Sequence, residues 1–153
     1  MKPIILFTCL FVSLCSFAQD SFTEEDAKEV INTFFEGFHK GDTTMIQSVL
    51  YGNIPTQTVY ATKKGVNQIQ DDTIDGLVTQ IGSRPADQVW EERLLSYEVQ
   101  IDGNLAHVWT PYEFWVNGNF SHCGANAFTL AKTDTGWKIV HLIDSRRKSS
   151  CQQ

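Results

Sequence analysis

The sequence is short of positive charge. Its 153 residues include 12 lysines and arginines against 18 aspartates and glutamates, which gives a net charge of −6 at pH 7. Nucleic-acid binding needs a basic face that releases counterions, and binding to an anionic membrane surface needs basic patches. The cluster at residues 146–148 is too small and too local to supply either. We therefore expect neither nucleic acid nor a membrane as a partner.

An apolar run long enough to span a bilayer is also lacking. The run at residues 4–12 is too short for that purpose. It follows the positive charge of Lys2 and precedes the small-x-small sequence Ser16-Phe17-Ala18, which is typical of a signal peptide. The sequence predicts a signal peptide over residues 1–18, cleaved near Ala18–Gln19. We therefore expect a periplasmic or extracellular protein, whose mature chain carries a net charge of about −7 because Lys2 is lost.

Cysteine is scarce, since only Cys123 and Cys151 remain after this predicted cleavage. In an oxidising compartment the two are able to pair, because the polar tail KSSCQQ can fold back over the last hairpin. The alternative is a small strand residue at Cys123 and a free thiol at Cys151. The sequence leaves both alternatives open.

Helical periodicity occupies the first part of the mature chain. Ser21 or Thr23 can cap a helix that ends at Gly41, and Asp42 caps a short second helix. The spacing of apolar residues predicts a third helix over residues 66–81. The apolar stripe of the first helix consists of Ala27, Val30, Ile31, Phe34, Phe35 and Phe38.

Strand patterns dominate the rest of the chain. Pro55 opens a short strand, and everything after Pro85 predicts sheet, with strands at 89–101, 105–116, 119–132 and 137–146. No repeat, linker or low-complexity segment interrupts this order. One α+β domain is predicted, with its helices on one face of an antiparallel sheet.

This order of elements resembles that of a known family. The resemblance is strongest in three segments: GDTTMIQSVL, DGNLAHVW and AKTDTGWKIVHLID. The chain resembles the nuclear transport factor two-like fold, which SnoaL-like polyketide cyclases, ketosteroid isomerases and scytalone dehydratase share. The resemblance implies a cone at residues 19–147, in which three helices pack on a strongly curved, mostly antiparallel sheet, followed by a polar tail at 148–153. The ending HCGANAFTLAKTDTGWKIVHLIDSRR is similar to exported bacterial members with a lumazine-binding label, which implies a ligand-binding domain.

Turn chemistry assigns faces to the first predicted hairpin. A two-residue loop at Asn117-Gly118 places Glu113 opposite His122 and Trp109 opposite Asn126. Residues opposite one another share a face of the sheet. These four side chains are therefore predicted to line the inside of the cone.

The second hairpin adds acidic and basic groups to the same face. A three-residue loop at Asp134–Gly136 places Asn126 opposite Asp144 and Leu130 opposite Val140, with Arg146 beside Gly124. Small-molecule pockets combine an apolar lining with a few convergent polar groups. The predicted ligand-binding residues are Phe34, Phe38, Tyr60, Trp109, Glu113, His122, Asn126, Asp144 and Arg146.

His122 and Asp144 are the best catalytic candidates. Asp144 is able to orient His122 or to pair with Arg146, and His122 would then transfer a proton near neutral pH. Arg146 suits an anionic ligand edge. The alternative is a strand-end ion pair beside a structural histidine. Asn126 stands near a position where ketosteroid isomerases carry an acidic pocket residue, and an amide cannot supply a proton.

No metal or cofactor is assigned. Glu113, His122 and Asp144 are suitable ligands by type, but their spacing matches no zinc motif. His122 and Cys123 cannot form a nucleophilic pair, because neighbouring strand residues point to opposite faces.

We expect an exported protein that binds a small, partly apolar molecule, and a homodimer that covers the apolar outer face of the sheet. An isomerase, dehydratase or cyclase is the first alternative. It would require a carboxylate or histidine at the pocket floor, outside a salt bridge and with a strongly shifted pKa. A dimeric protein-interaction domain is the second alternative, and a cavity filled by Trp109, Phe34 and Phe38 would favour it.

Overall fold

A computed structural model of the protein describes residues 21–151, so the predicted signal peptide lies outside the described residues. Three helices and seven strands follow one another in the predicted α+β order, with two departures described below. The elements are α1 (Glu24–Lys40), α2 (Thr43–Ser48), β1 (Pro55–Ala61), β2 (Asn67–Thr73), α3 (Ile74–Gly82), β3 (Trp90–Leu94), β4 (Glu98–Asp102), β5 (Leu105–Val116), β6 (Asn119–Thr133) and β7 (Gly136–Arg147).

The seven strands form one sheet in the order β2-β1-β7-β6-β5-β3, with β4 also paired to β5. Among the strand pairs of residues 21–151, β1 with β7 is the parallel one, and an isolated parallel bridge joins Leu50 to Ile139. The sheet curls without closing, and the helices pack on its concave side. The predicted fold class is therefore confirmed. No helix within residues 21–151 has the length and apolarity needed to cross a membrane.

Helix α1 begins and ends where the sequence predicts. Thr23, rather than Ser21, is its cap: the Thr23 hydroxyl accepts the Asp26 N–H at 3.2 Å, and the Asp26 carboxylate accepts the Thr23 N–H at 2.7 Å. This reciprocal cap satisfies two backbone donors that the first turn leaves free. Gly41 ends the helix with φ 73°, a left-handed conformation that glycine adopts without strain. The predicted stripe faces the core, where Ile31 is fully buried.

The predicted third helix is wrong in its first half. Residues Asn67–Thr73 form β2, which pairs antiparallel with β1, and α3 begins only at Ile74. Val66 and Ile69, which the helical spacing of residues 66–81 would place on its apolar side, are 57% and 62% exposed. The free backbone edge of β1 provides a ladder for this segment, and that tertiary pairing outweighs a weak helical spacing.

The predicted strand at 89–101 is two strands. Strand β3 pairs with Tyr112–Val116 and β4 pairs with Leu105–Trp109. The break lies opposite Pro111, which has no N–H to donate to a ladder. The Pro111 carbonyl accepts the Leu95 N–H at 2.8 Å, so the chain bends there and continues along the same partner strand.

The first hairpin has the predicted two-residue turn but a different register beyond it. Asn117 and Gly118 both have positive φ, and Trp115 lies opposite Phe120 as predicted. Ser121 is then an extra residue in β6, so His122 lies opposite Phe114. A one-residue shift moves every later side chain of the partner strand to the other face. The predicted faces of β5 are therefore wrong.

The second hairpin reaches the predicted register by another route. Its loop has two residues rather than three, and Leu130 lies opposite Ile139 instead of Val140. A bulge at Val140 then adds the residue that the shorter loop omits. Asn126 consequently lies opposite Asp144, as predicted.

The two cysteines of the described chain form a disulfide. Cys123 and Cys151 have Cα atoms 5.8 Å apart, within the range that a disulfide spans. The C-terminal tail therefore folds back along β6, and the free-thiol alternative does not hold. Cys123 is buried, at 2% exposure.

Candidate functional site

The concave side of the sheet and the helices enclose a cavity of about 1010 Å³. Its floor is aromatic, because α1 presents one face of phenylalanines towards the sheet and β3 and β5 supply further rings. Polar side chains of β6 and β7 form a band above this floor, and exposed residues form the mouth. The aromatic lining consists of Phe34, Phe35, Phe38, Tyr60, Trp90, Tyr112 and Phe114.

Asp144 is the centre of the polar band. It is 9% exposed, and its carboxylate accepts hydrogen bonds from the Thr58 hydroxyl at 2.6 Å and the Tyr112 hydroxyl at 3.1 Å. Arg146 Nε lies 2.7 Å from the same carboxylate and balances its charge. Strand alternation places Asp144 and Arg146 on one face of β7, and the parallel partner β1 brings Thr58 beside them. The carboxylate is therefore fixed and compensated.

Glu92 is a second carboxylate in the band, and it has no ion-pair partner among the described residues. The Asn126 amide Nδ2 donates to its Oε1 at 2.7 Å. Burial raises the pKa of Glu92 to about 8, and the nearby charge of Asp144 adds to this, while the Asn126 hydrogen bond and Arg146 oppose it. Glu92 therefore holds its proton at pH 7 and is able to donate a hydrogen bond into the cavity.

Glu92 is not among the predicted site residues, although strand alternation contained the signal. Within β3, Trp90, Glu92 and Leu94 point to the same face. A glutamate between two inward apolar residues is a candidate buried acid. The backbone of Glu92 is also held to the end of α1, where its N–H donates to His39 Nε2 at 3.0 Å.

Tyr112 and Thr58 are further polar residues that sequence reasoning missed. Burial raises the pKa of Tyr112, and the negative charge of Asp144 raises it further, so the hydroxyl remains a donor. Placing Glu113 inside the cone put its neighbour Tyr112 on the outer face by strand alternation, because the bulge at Ser121 has no sequence signature. Thr58 reaches the site only through the parallel pairing of β1 with β7.

His122 lines the cavity but does not pair with Asp144. Its ring packs between Tyr112 and Phe114, at centroid distances of 5.7 and 5.0 Å, and its Nδ1 lies 3.1 Å from the Ser121 hydroxyl. Burial lowers the pKa of His122 to about 4, and the charge of Arg146 contributes. The imidazole is therefore neutral at pH 7, and the predicted proton transfer by His122 near neutral pH does not fit this environment.

Seven of the nine predicted ligand-binding residues lie around the cavity. The structure brings together Phe34, Phe38, Tyr60, His122, Asn126, Asp144 and Arg146.

Trp109 and Glu113 are not among the residues that line the cavity. Trp109 lies opposite Ala127 on the outer face and is 38% exposed. Glu113 accepts a hydrogen bond from Trp115 Nε1 at 3.1 Å. Their predicted placement is wrong because the bulge at Ser121 inverts β5 relative to β6. Within residues 21–151 no three metal-ligating side chains converge, so the set of Glu113 with His122 and Asp144 does not form.

The fold is the cystatin-like α+β fold of nuclear transport factor 2-like structures. A solved superfamily member from Salmonella enterica is 20% identical, with a TM-score of 0.61 over 82% of this chain and 92% of that one. A nuclear transport factor 2-like protein from Cytophaga hutchinsonii is 10% identical, with a TM-score of 0.63 over 82% of this chain and 99% of that one. A protein from Streptomyces avermitilis, described as a putative dehydratase of this family, is 14% identical, with a TM-score of 0.61 over 82% and 96% of the two chains. At these identities the likeness concerns the fold alone.

The chain belongs to the family described as "Putative lumazine-binding", whose model matches residues 23–142. The match begins at the cap of α1 and ends inside β7, so it covers the cone. Among curated protein sequences, none matches the chain.

Proposed function

We propose that this chain is an exported protein that binds a small, partly apolar molecule inside the cone. The observation that carries the proposal is the open cavity of about 1010 Å³ with an aromatic floor and a polar band. Ligand sites combine these two features, since apolar walls supply affinity and a few polar groups set orientation. The family description, which names lumazine, supports a small heteroaromatic ligand. Export rests on the N-terminal sequence, residues 1–18.

A protein-interaction domain with a filled cavity is less well supported. The sequence criterion for it was a cavity occupied by Trp109, Phe34 and Phe38. Trp109 lies on the outer face, and the two phenylalanines line the space without closing it.

Native mass spectrometry of protein purified from its own host tests the proposal. We expect a small molecule to copurify, or members of a metabolite panel that includes lumazine and related pteridines to raise the melting temperature. Arg146→Ala and Phe34→Ala should weaken binding, because both residues line the cavity. Trp109→Ala on the outer face is the matched control and should leave binding unchanged. Apo protein that gains no stability from any compound would refute the proposal.

An enzyme that uses the same pocket is the second candidate, and Glu92 favours it. This residue meets most of the criterion set from sequence: its carboxyl group lines the pocket, within the polar band rather than at the floor, lies outside a salt bridge and has a pKa raised to about 8. Protonated, it suits general-acid work, and above pH 8 it becomes a base. Mass spectrometry of bound compounds after incubation at pH 6–9 would reveal conversion. Glu92→Gln should abolish conversion, whereas the exposed control Glu98→Gln should not. Conversion that survives Glu92→Gln would exclude this role.

A homodimer formed through the outer face of the sheet is also proposed. Trp109 is exposed there beside small and apolar side chains of β6 and β7, including Ala127 and Ile143. Exposed apolar faces of this kind usually contact another protein surface. Light scattering coupled to size exclusion should show a dimer, and Trp109→Glu should shift it towards the monomer. A wild-type protein that stays monomeric at high concentration would contradict the proposal.

A further inference from the structure

The mouth of the cavity carries an excess of positive charge on a chain that is acidic overall. Lys63, Arg146, Arg147 and Lys148 are all exposed and all line the opening. The exposed acid among the lining residues is Asp72. Four of the 12 lysines and arginines of this acidic chain therefore line one opening, where they outnumber the exposed acid by four to one.

Three of these cations have no carboxylate partner within residues 21–151. Arg146 is balanced by Asp144, as described above. Lys63 and Lys148 form no ion pair and no side-chain hydrogen bond with a described residue, and Arg147 uses only its Nε, which donates to the Ser150 carbonyl at 3.2 Å. Their remaining N–H donors are therefore open to a ligand.

The disulfide holds two of these cations in place. Arg147 lies opposite Cys123 at the end of β7, and Cys151 is bonded back to Cys123. The segment from Lys148 to Ser150 is therefore a short loop closed at both ends, and Lys148 and Ser149 line the cavity. A loop ordered before binding loses less conformational entropy when a ligand arrives.

The interior of the cavity, behind the basic residues of its mouth (the rim), carries little negative charge that would repel an anionic ligand. The floor is aromatic, and the Asp144 carboxylate is compensated by Arg146. Glu92, whose pKa is raised to about 8, is mostly protonated at pH 7 and adds little charge. An anionic ligand therefore meets no unbalanced carboxylate deep in the cavity, and the basic mouth accelerates its approach.

Resting on the proposed function, we infer the ligand class: an amphipathic carboxylate, whose ring-bearing body packs on the aromatic floor while its anionic group lies among Lys63, Arg147 and Lys148. A neutral molecule would fill the floor but leave these three cations without a partner. A small hydrophilic anion would meet the cations but leave the aromatic floor uncovered. The matched ligand uses both parts of the site.

Two probes with the same ring test the contributions of the aromatic floor and the basic mouth separately. Isothermal calorimetry with 2-naphthoate and the neutral 2-naphthamide should show about tenfold tighter binding of the carboxylate at low salt, as expected for one charge-assisted contact. Raising NaCl from about 0.05 to about 0.5 M should remove most of this advantage, because exposed charges are screened. Acetate, which lacks the ring, should bind far more weakly than 2-naphthoate.

Variants assign the effect to the rim. The triple variant Lys63→Gln/Arg147→Gln/Lys148→Gln should lose the preference for 2-naphthoate while its affinity for 2-naphthamide changes by less than about twofold. Lys64→Gln is the matched control, because Lys64 is exposed beside Lys63 but does not line the cavity. It should retain the preference in full.

His122 provides a second readout that loss of fold would not imitate. Burial against Tyr112 and Phe114 lowers the pKa of His122 most, Arg146 and Lys148 lower it further, and Asp144 raises it. An anion at the mouth offsets the two cations, so the pKa of His122 from an NMR titration should rise with 2-naphthoate and stay unchanged with 2-naphthamide.

The outcomes distinguish the proposed carboxylate ligand class from the proposal that the cone binds a small molecule. Equal or tighter binding of 2-naphthamide would overturn the carboxylate class and leave the small-molecule site standing. A preference for 2-naphthoate that survives in the triple variant would overturn its assignment to this rim. If neither probe and no compound of the metabolite panel binds, both proposals are wrong.

Discussion

Replacing Glu92 by glutamine tests the electrostatics of the polar band directly. Glutamine has the shape of the protonated acid, and its carbonyl can still accept the hydrogen bond that Asn126 donates to Glu92 Oε1 at 2.7 Å. The backbone link from Glu92 to His39 does not involve the side chain. The variant should therefore keep the fold and remove only the titration of this one group.

The direction of the pH dependence of stability follows from the raised pKa of Glu92. Between pH 4.5, the ordinary value, and about 8, folded Glu92 keeps its proton while the unfolded chain releases it. Unfolding then releases a proton, so raising the pH favours the unfolded state. The free energy of unfolding of the wild type, relative to Glu92→Gln, should fall as the pH rises across this window and level off above pH 8.

The expected change in the free energy of unfolding is a few kcal/mol. Moving a pKa from 4.5 to about 8 corresponds to about 5 kcal/mol at 1.36 kcal/mol per pKa unit. Solvent enters the cavity through its open mouth and reduces the penalty, so we expect a difference of about 2–4 kcal/mol between pH 5 and pH 9.

Urea denaturation of both proteins at pH 5, 6, 7, 8 and 9 measures this difference. Glu98→Gln is the control, because Glu98 is exposed on the neighbouring strand β4 and its replacement should leave the pH profile parallel to that of the wild type. Parallel profiles for the wild type and Glu92→Gln would refute the reasoning. A wild type that gains stability relative to the variant as the pH rises would refute it as well.

Three further predictions concern stability and are measured by urea denaturation. Tyr112→Phe removes a buried hydrogen bond and should cost about 1 kcal/mol, and an unchanged midpoint would contradict the bond. Gly124→Ala should cost about 3 kcal/mol or more, because the new Cβ would lie 1.7 Å from the Ser145 carbonyl oxygen, and near-wild-type stability would contradict this packing. The double variant Cys123→Ser/Cys151→Ser opens a loop with a sequence separation of 28 residues and should cost about 3–4 kcal/mol by loop entropy, with equal stability arguing against the bond.

Gly76→Ala is the control for Gly124→Ala. Gly76 lies within α3, where an added Cβ meets only the flexible Asp72 carboxylate, at 3.2 Å. Alanine is the better helix former by about 1 kcal/mol, so this variant should be neutral or more stable.

The local chemistry of the chain was sufficient to predict most elements. The cap at Thr23 and the left-handed Gly41 delimit α1, and Asn117-Gly118 forms the predicted tight turn, because each depends on backbone preferences of a few adjacent residues. The region after Lys64 was mispredicted, since its helical spacing competes with a ladder that β1 offers from elsewhere in the chain.

The residues of the candidate site were likewise predicted only in part. Sequence periodicity placed Asn126, Asp144 and Arg146 on one face, and the structure agrees because the bulge at Val140 restores the predicted register. The prediction for Trp109 and Glu113 failed because one extra residue, Ser121, inverts a whole strand.

The sequence by itself determined most of the order of elements, apart from β2 and the division between β3 and β4, and the polar character of the last two strands. It also determined the acidic overall charge. Only the tertiary structure decided which side of β5 faces inward, that Glu92 lines the cavity and accepts a hydrogen bond from Asn126, and that the tail brings Lys148 to the mouth. The physical reason is the distance along the chain over which each interaction acts. Caps and turns depend on neighbouring residues. A bulge, a raised pKa and a charged rim depend on strands that are distant in sequence.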